Sequence, residues 1–162
     1  MSDKNIGREE LERLIVDFLG TQGMCVLATC SGGRPRASAV EFFPDGTILY
    51  VLTEGGQKVE NVERNPRVSV AIHTQFTGWD TIMGVQITGD ALIGGKGSSS
   101  FTEGEQAYAR RKKQAVKLPD FMKVIKITPQ KIEYLDTTLR KTGYGVRHTL
   151  VYGPAPGSCF TG

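Results

Sequence analysis

The segment Leu52-Thr53-Glu54-Gly55-Gly56-Gln57-Lys58 ends an apolar run, turns through two glycines and opens a helix-like stretch carrying a lysine in its first turns. That order suits an anion. Glycines let backbone N–H groups approach a phosphate, a helix start presents partial positive charge, and Thr53 and Lys58 add a hydroxyl and an ammonium. The same residues also make an ordinary strand-to-helix turn with a solvated lysine. Upstream, Arg34 and Arg36 stand two apart on one face of an extended strand, where both can address a phosphate or a carboxylated substrate, and Ser38 continues that face. Arg34 sits nearer the turn, so Arg36 and Ser38 are the stronger candidates. The small side chains of Ala37, Ser38 and Ala39 leave room for a flat ring against strand backbone, or simply for close packing in a small barrel.

Other chemistry is sparsely represented. Cys25, Cys30 and Cys159 are odd in number and form no C-x-x-C pair, which argues against a disulfide framework or a zinc knuckle. With only His73 and His148 besides, no protein-ligated metal is expected. No His-centred triad or carboxylate pair stands out. Trp79, the single tryptophan, shares a loop with Phe76 and Asp80 and is suited either to covering a ligand face or to packing against another subunit. Gln86 lies on the following strand, as an amide donor to a ligand or an outward polar residue. The run Arg110-Arg111-Lys112-Lys113 reads as a solvated helix face without an aromatic stacking platform, and Gly94-Gly95-Lys96-Gly97 lacks the phosphate-loop spacing.

The elements that must position these residues are legible from periodicity. Leu11, Leu14, Ile15, Phe18 and Leu19 predict an amphipathic helix over Glu9–Leu19. Met24–Cys30 and Arg36–Phe43 predict a hairpin around Ser31-Gly32-Gly33, and Thr47–Thr53 a third strand antiparallel to the second. Gln57–Asn65 is a short helix stopped by Pro66. Arg67–His73 alternates as a strand, and Thr81–Ile93 is a longer one with bends expected at Gly84 and Gly89. Ser100-x-x-Glu103 predicts a capping box opening a helix to about Ala115. Phe121–Ile127 and Lys131–Leu135 form two last strands around Thr128-Pro129-Gln130, before a Gly- and Pro-rich tail over about 136–162. Short connections favour antiparallel pairing, since parallel pairs need long crossovers.

A chain of 162 residues with 39% hydrophobic and 23% charged residues has the size and balance of one globular domain. A formal charge of +3 falls well short of the concentrated charge of a nucleic-acid binder. No apolar stretch is long enough for a membrane span, and the polar start Met1-Ser2-Asp3-Lys4 is unlike a signal peptide, so the expected location is cytoplasmic.

The co-linear pieces Gly33-Arg34-Pro35-Arg36-Ala37-Ser38, Leu49-Tyr50-Val51, Lys58-Val59-Glu60-Asn61-Val62, Asn65-Pro66-Arg67-Val68-Ser69-Val70 and Gly84-Val85-Gln86-Ile87-Thr88-Gly89 resemble the pyridoxamine 5'-phosphate oxidase-like FMN-binding split barrels across roughly residues 9–135. The resemblance implies a mainly β fold, an antiparallel split barrel of six to seven strands with peripheral helices. It further implies an FMN phosphate near the Thr53–Lys58 turn and an isoalloxazine ring along Arg36, Ala37, Ser38, Ala39 and Val40. Leu52, Thr53, Glu54, Gln57, Lys58, Trp79, Gln86 and Arg147 complete the implied cofactor contacts, in a homodimer with the cofactor at its interface. The Trp-plus-paired-Arg ending of true pyridoxamine phosphate oxidases is missing, which turns the expectation away from that substrate. The function implied is flavin-dependent oxidoreduction of a small molecule. A non-catalytic flavin carrier, or a barrel using a deazaflavin coenzyme or haem, is the alternative.

Overall fold

The computed structural model describes residues 4–153. Helix α1 (Arg8–Thr21) places Leu11, Ile15, Phe18 and Leu19 on one buried face. Eight strands follow: β1 (Met24–Ser31), β2 (Arg34–Glu41), β3 (Phe43–Asp45), β4 (Ile48–Thr53), β5 (Arg67–His73), β6 (Met83–Gly94), β7 (Lys123–Asp136) and β8 (Arg147–Val151). Helix α2 (Gln57–Arg64) joins β4 to β5 and α3 (Ser99–Lys112) joins β6 to β7. Short 3-10 turns cover Trp79–Thr81 and Thr137–Thr142.

All strand pairs are antiparallel, in the order β2-β1-β5-β6-β7-β4-β3, with β8 added to β7. The seven-strand path curls so that β2 approaches β4 without pairing to it. The molecule is therefore the antiparallel split β-barrel that the sequence predicts, with one strand more than expected. Leu27, Leu49, Val51, Ile125, Ile127 and Ile132 fill its interior with no measurable exposure, and α1 packs into the same cluster. A second cluster of Phe43, Tyr50, Phe101, Ala107 and Val124 lies under α3.

The bend that curls the sheet lies midway along β6 and β7. The register between them slips at Thr88/Gly89: Thr88 faces Lys131 while Gly89 faces Pro129, leaving Gln130 as the extra residue of a bulge. Gln130 Nε2 donates to the Asp90 carboxylate at 2.6 Å. A Cβ at Gly89 would stand 2.4 Å from the Thr128 carbonyl oxygen, closer than any side chain tolerates. The bend expected at Gly89 is present. The two strands expected on either side of Thr128-Pro129-Gln130 are instead one strand, β7, because the bulge absorbs the proline without breaking the ladder.

Three further expectations are corrected. The strand over residues 48–53 does not continue a meander beside β2; it pairs with β3 and β7. Phe42 and Phe43 are both buried, at 0% and 2% exposure, so alternation fails there and the chain turns off the line of β2. The cap of α3 is Ser98, whose hydroxyl accepts from the Phe101 amide at 3.2 Å, two residues before the expected capping box. Glu103 is drawn elsewhere: it accepts from Tyr50 Oη at 2.8 Å and Lys126 Nζ at 2.5 Å, and these bonds lower its pKa. Finally, the expected tail contains β8, an edge strand held by Arg8 Nη1, which donates to the Val151 carbonyl at 2.9 Å.

Replacing Gly89 with alanine is expected to lower stability by about 1–3 kcal/mol, measured by urea denaturation. Gly95→Ala, at a position with nothing within 4 Å of the added Cβ, serves as the near-neutral control.

Candidate functional site

The β1–β2 hairpin turns through Gly32 and Gly33 at φ of 58° and 72°, which only glycine adopts without strain. It carries Arg34 and Arg36 along β2 beside α2. On α2, Gln57, Asn61 and Arg64 share one face by their i, i+4, i+7 spacing. Together with Ser31, Gly32 and Pro35 these residues line an open pocket of about 460 Å³. Three arginines, Arg34, Arg36 and Arg64, line it. No carboxylate lines it, and none of the three arginines has an ion-pair partner among the described residues.

The pocket floor is held by a buried polar chain. Gln57 Nε2 donates to Asn61 Oδ1 at 3.0 Å, and Asn61 Nδ2 donates to Thr29 Oγ1 at 3.0 Å. Asn61 and Thr29 are only 4% and 2% exposed, so each satisfies the other where water cannot. Asn65 adds a second tie, donating to the Cys30 carbonyl at 2.9 Å. These bonds fix α2 against β1 and hence against β2.

The turn into α2 follows the expected layout in part. Gly55 and Gly56 have φ of 135° and 91°, left-handed values that explain the glycine pair. The Gly55 amide donates to Thr53 Oγ1 at 3.1 Å, so the Thr53 hydroxyl orders the turn from a buried position. Lys58 folds back and donates to the Gly55 carbonyl at 3.3 Å. No side chain caps α2, leaving its first amides open to an anion.

The thirteen residues named from the sequence fall into separate places. Arg36 and Gln57 meet in the basic pocket, with Thr53, Glu54 and Lys58 at the adjoining turn and Leu52 partly buried behind it. Along β2, Arg36, Ser38 and Val40 lie opposite buried Thr29, Leu27 and Cys25. Ala37 and Ala39 lie opposite Ala28 and Val26 on the outer sheet face. Gln86 and Arg147 line a second cavity between β5, β6, β7 and β8. Ala39, Val26, Ala71 and Gln86 are in register across four strands, so Gln86 is about 14 Å from Ala39 at the usual strand spacing. Trp79 lines neither cavity; it is 79% exposed and meets Phe76 edge-to-face at 5.5 Å.

The family pattern described as pyridoxamine 5'-phosphate oxidase matches residues 11–136. The chain belongs to the pyridoxamine 5'-phosphate oxidase family. General stress protein 26 of Bacillus subtilis is 27% identical over 89 residues, 54% of this chain, and the match spans 63% of that protein's length. A candidate pyridoxamine 5'-phosphate oxidase from Listeria innocua has the same fold, with a TM-score of 0.61 and 29% identity, over 77% of this chain and 98% of its own. Two barrels share the fold alone. A FAD-binding protein from Mesorhizobium loti has a TM-score of 0.61 at 20% identity, over 82% of this chain and 94% of its own. A haem-binding protein from Mycobacterium smegmatis has a TM-score of 0.64 at 19% identity, over 91% of this chain and 59% of its own.

Within this member of the pyridoxamine 5'-phosphate oxidase family, sequence reasoning overlooked Asn61 and Arg64 as pocket residues. The signal was present in the polar i, i+4, i+7 stripe from Gln57, but the valines at 59 and 62 drew attention to the core. Cys25 is buried, and desolvation pushes its thiol up to about 12; Cys159 lies outside the described residues. No helix among the described residues is long and apolar enough to cross a membrane.

Asn61→Ala leaves the Thr29 hydroxyl buried without its donor, and a loss of about 1–3 kcal/mol is expected. Thermal denaturation checks it, with Asn65→Ala, at a half-buried position, expected to cost less.

Proposed function

We propose that the chain binds FMN, with the phosphate in the basic pocket between β2 and α2 and the ring against β2, and uses it to oxidise or reduce a small molecule. The observation that carries this reading is that Arg34, Arg36 and Arg64 line a pocket without carboxylates. Guanidinium groups without carboxylate partners favour an anion that accepts several charge-assisted hydrogen bonds, and a phosphate monoester does so. Lys58 and the uncapped start of α2 add to the same field.

The ring has a suitable neighbour in β2. This strand is the edge of the sheet, paired on one side to β1 and unpaired on the side toward β4, so its free N–H and C=O groups suit the polar rim of a flavin. When bound, the flavin supplies the hydride and electron chemistry, while the protein binds it, orients it and limits access to it. No side-chain nucleophile or acid–base pair is required.

The outer face of β1 and β2 supports a homodimer. Met24 and Val26 are 56% and 36% exposed there, beside exposed Ala37 and Ala39. A second copy covering this face would bury it and close the open side of β2, placing the cofactor between subunits. A haem reading has a narrower basis: one ring nitrogen of each histidine is engaged by a backbone carbonyl, His148 Nε2 by Gly145 at 2.6 Å and His73 Nδ1 by Thr74 at 2.7 Å, and His148 is buried.

Titration of flavin fluorescence tests the reading. FMN is expected to bind much more tightly than riboflavin, which lacks the phosphate. Arg36→Ala and Lys58→Ala should each weaken FMN by roughly tenfold or more while leaving riboflavin nearly unchanged. Equal affinities in wild type and both variants would remove the phosphate from this pocket. Rapid reduction of the bound flavin by NADH or NADPH, with turnover on an acceptor, separates an enzyme from a carrier. Light scattering during size exclusion reports the dimer.

A further inference from the structure

The arginines of the basic pocket stand at two levels. Asn61 is tied to Thr29 and Asn65 to Cys30, so α2 advances toward the hairpin turn in the same sense as β1. Gln57, at the start of α2, therefore lies toward the inner end of the pocket. Arg64, seven residues and about 10 Å further along the helix, lies toward the turn. β2 is graded in the same way. Arg36 stands opposite Thr29, whereas Arg34 stands opposite Ser31, about 7 Å nearer the turn.

The pocket thus has an inner end, with Arg36, Gln57 and the open amides that begin α2, and an outer end, with Arg34, Arg64 and the Ser31 hydroxyl. The inner end is sufficient for one phosphate. An anion seated on the first amides of α2 has Arg36 and Lys58 beside it and is about two helical turns from Arg64 at the backbone. At the outer end, Arg34 and Arg64 are exposed, and neither has an ion-pair partner among the described residues. Such a pair suits a phosphate monoester, whose near-double charge and three terminal oxygens can accept from two guanidinium forks.

On the flavin reading, on which this inference rests, the inner end holds the FMN phosphate, and FMN has no second one. The outer end is therefore left for another molecule. The flavin needs an electron donor, and the two nicotinamide dinucleotides differ by a single phosphate monoester, on the adenosine 2'-hydroxyl. We propose that Arg34 and Arg64 receive that 2'-phosphate, so that the donor is NADPH rather than NADH. From Arg34 to Ser38, in the stretch of β2 assigned to the ring, is about 13 Å along the strand, within the length of an extended dinucleotide.

Binding of the oxidised dinucleotides to the full chain loaded with FMN tests this, because the inner end is then filled and neither dinucleotide reacts with oxidised flavin. Isothermal calorimetry is the readout. NADP+ is expected to bind at least roughly tenfold more tightly than NAD+, and adenosine 2'-monophosphate should compete with it where adenosine does not. Arg34→Gln and Arg64→Gln should each weaken NADP+ by about tenfold, bringing it toward the affinity of NAD+. Circular dichroism spectra matching wild type show that both variants, at exposed positions, fold. In reduction of the bound flavin, the same variants should raise the KM for NADPH more than they lower kcat. Equal affinities for NADP+ and NAD+, or variants that weaken both alike, overturn the proposal. Release of FMN by NADP+ also overturns it, because the two would then share one subsite. The flavin reading is judged separately, by FMN affinity in wild type, Arg36→Ala and Lys58→Ala. FMN that fails to bind overturns both readings, whereas FMN bound as expected without a preference for NADP+ strikes only the donor assignment.

Discussion

The fold depends on the close approach of Gly89 to the Thr128 carbonyl. At that point β6 and β7, paired along nearly their whole length, bend together around the extra residue Gln130. A straight pair of this length would extend a flat sheet. The bulge instead hands β7 from one neighbourhood to another: its first half pairs with β4, and its second half pairs with β8. The cavity of about 440 Å³ lies on one side of this bulge, among β5, β6, β7 and β8, whereas the basic pocket is walled by the β1–β2 hairpin and α2.

The free edge of β2 is a second consequence of side-chain volume. Two consecutive buried phenylalanines cannot both face inward on a regular strand, so the chain turns at Phe42 and β3 leaves the line of β2. Arg111 secures that turn. Its Nη1 donates to the Phe42 carbonyl at 2.6 Å, its Nη2 donates to the carbonyls of Gly20 and Gln22, and its guanidinium lies 5.4 Å from the Phe42 ring centroid. The flanking Arg110 and Lys112 pair with Asp45 and Glu41. A basic run that reads from sequence as a solvated helix face is, at its centre, a clasp between α1, α3 and the end of β2.

Periodicity made most elements visible because burial enforces it. The helix over residues 8–21 and the alternating strand over 67–73 are amphipathic, and each lies where its pattern places it. What escaped was long-range. Nothing local to Thr128-Pro129-Gln130 distinguishes a turn from a bulge; the difference lies in a partner strand some forty residues away along the chain. β8 escaped for a related reason, since a short edge strand with an arginine and a histidine has weak intrinsic preference and exists by pairing with β7. The site divides in the same manner. Arg36 and Gln57 are close in sequence to the turns that position them and line one pocket, while Lys58 turns back on the Gly55 carbonyl. The separation of Gln86 and Arg147 from them is a property of strand order.

The distribution of charge connects fold and site. Along the surface, cations meet carboxylates in ordinary exposed pairs, such as Arg13 with Glu10 and Lys123 with Glu63, and pairs of this kind contribute little to stability. The fold can therefore leave some cations unpaired at small cost, and Arg34, Arg36 and Arg64 line one pocket with no ion-pair partner among the described residues. Rigidity makes that arrangement persist. The Gln57–Asn61–Thr29 chain prevents α2 from drifting away from β2, since doing so would strand two buried polar groups. The buried amide and hydroxyl thus hold together the two elements, α2 and the β1–β2 hairpin, that carry the exposed arginines.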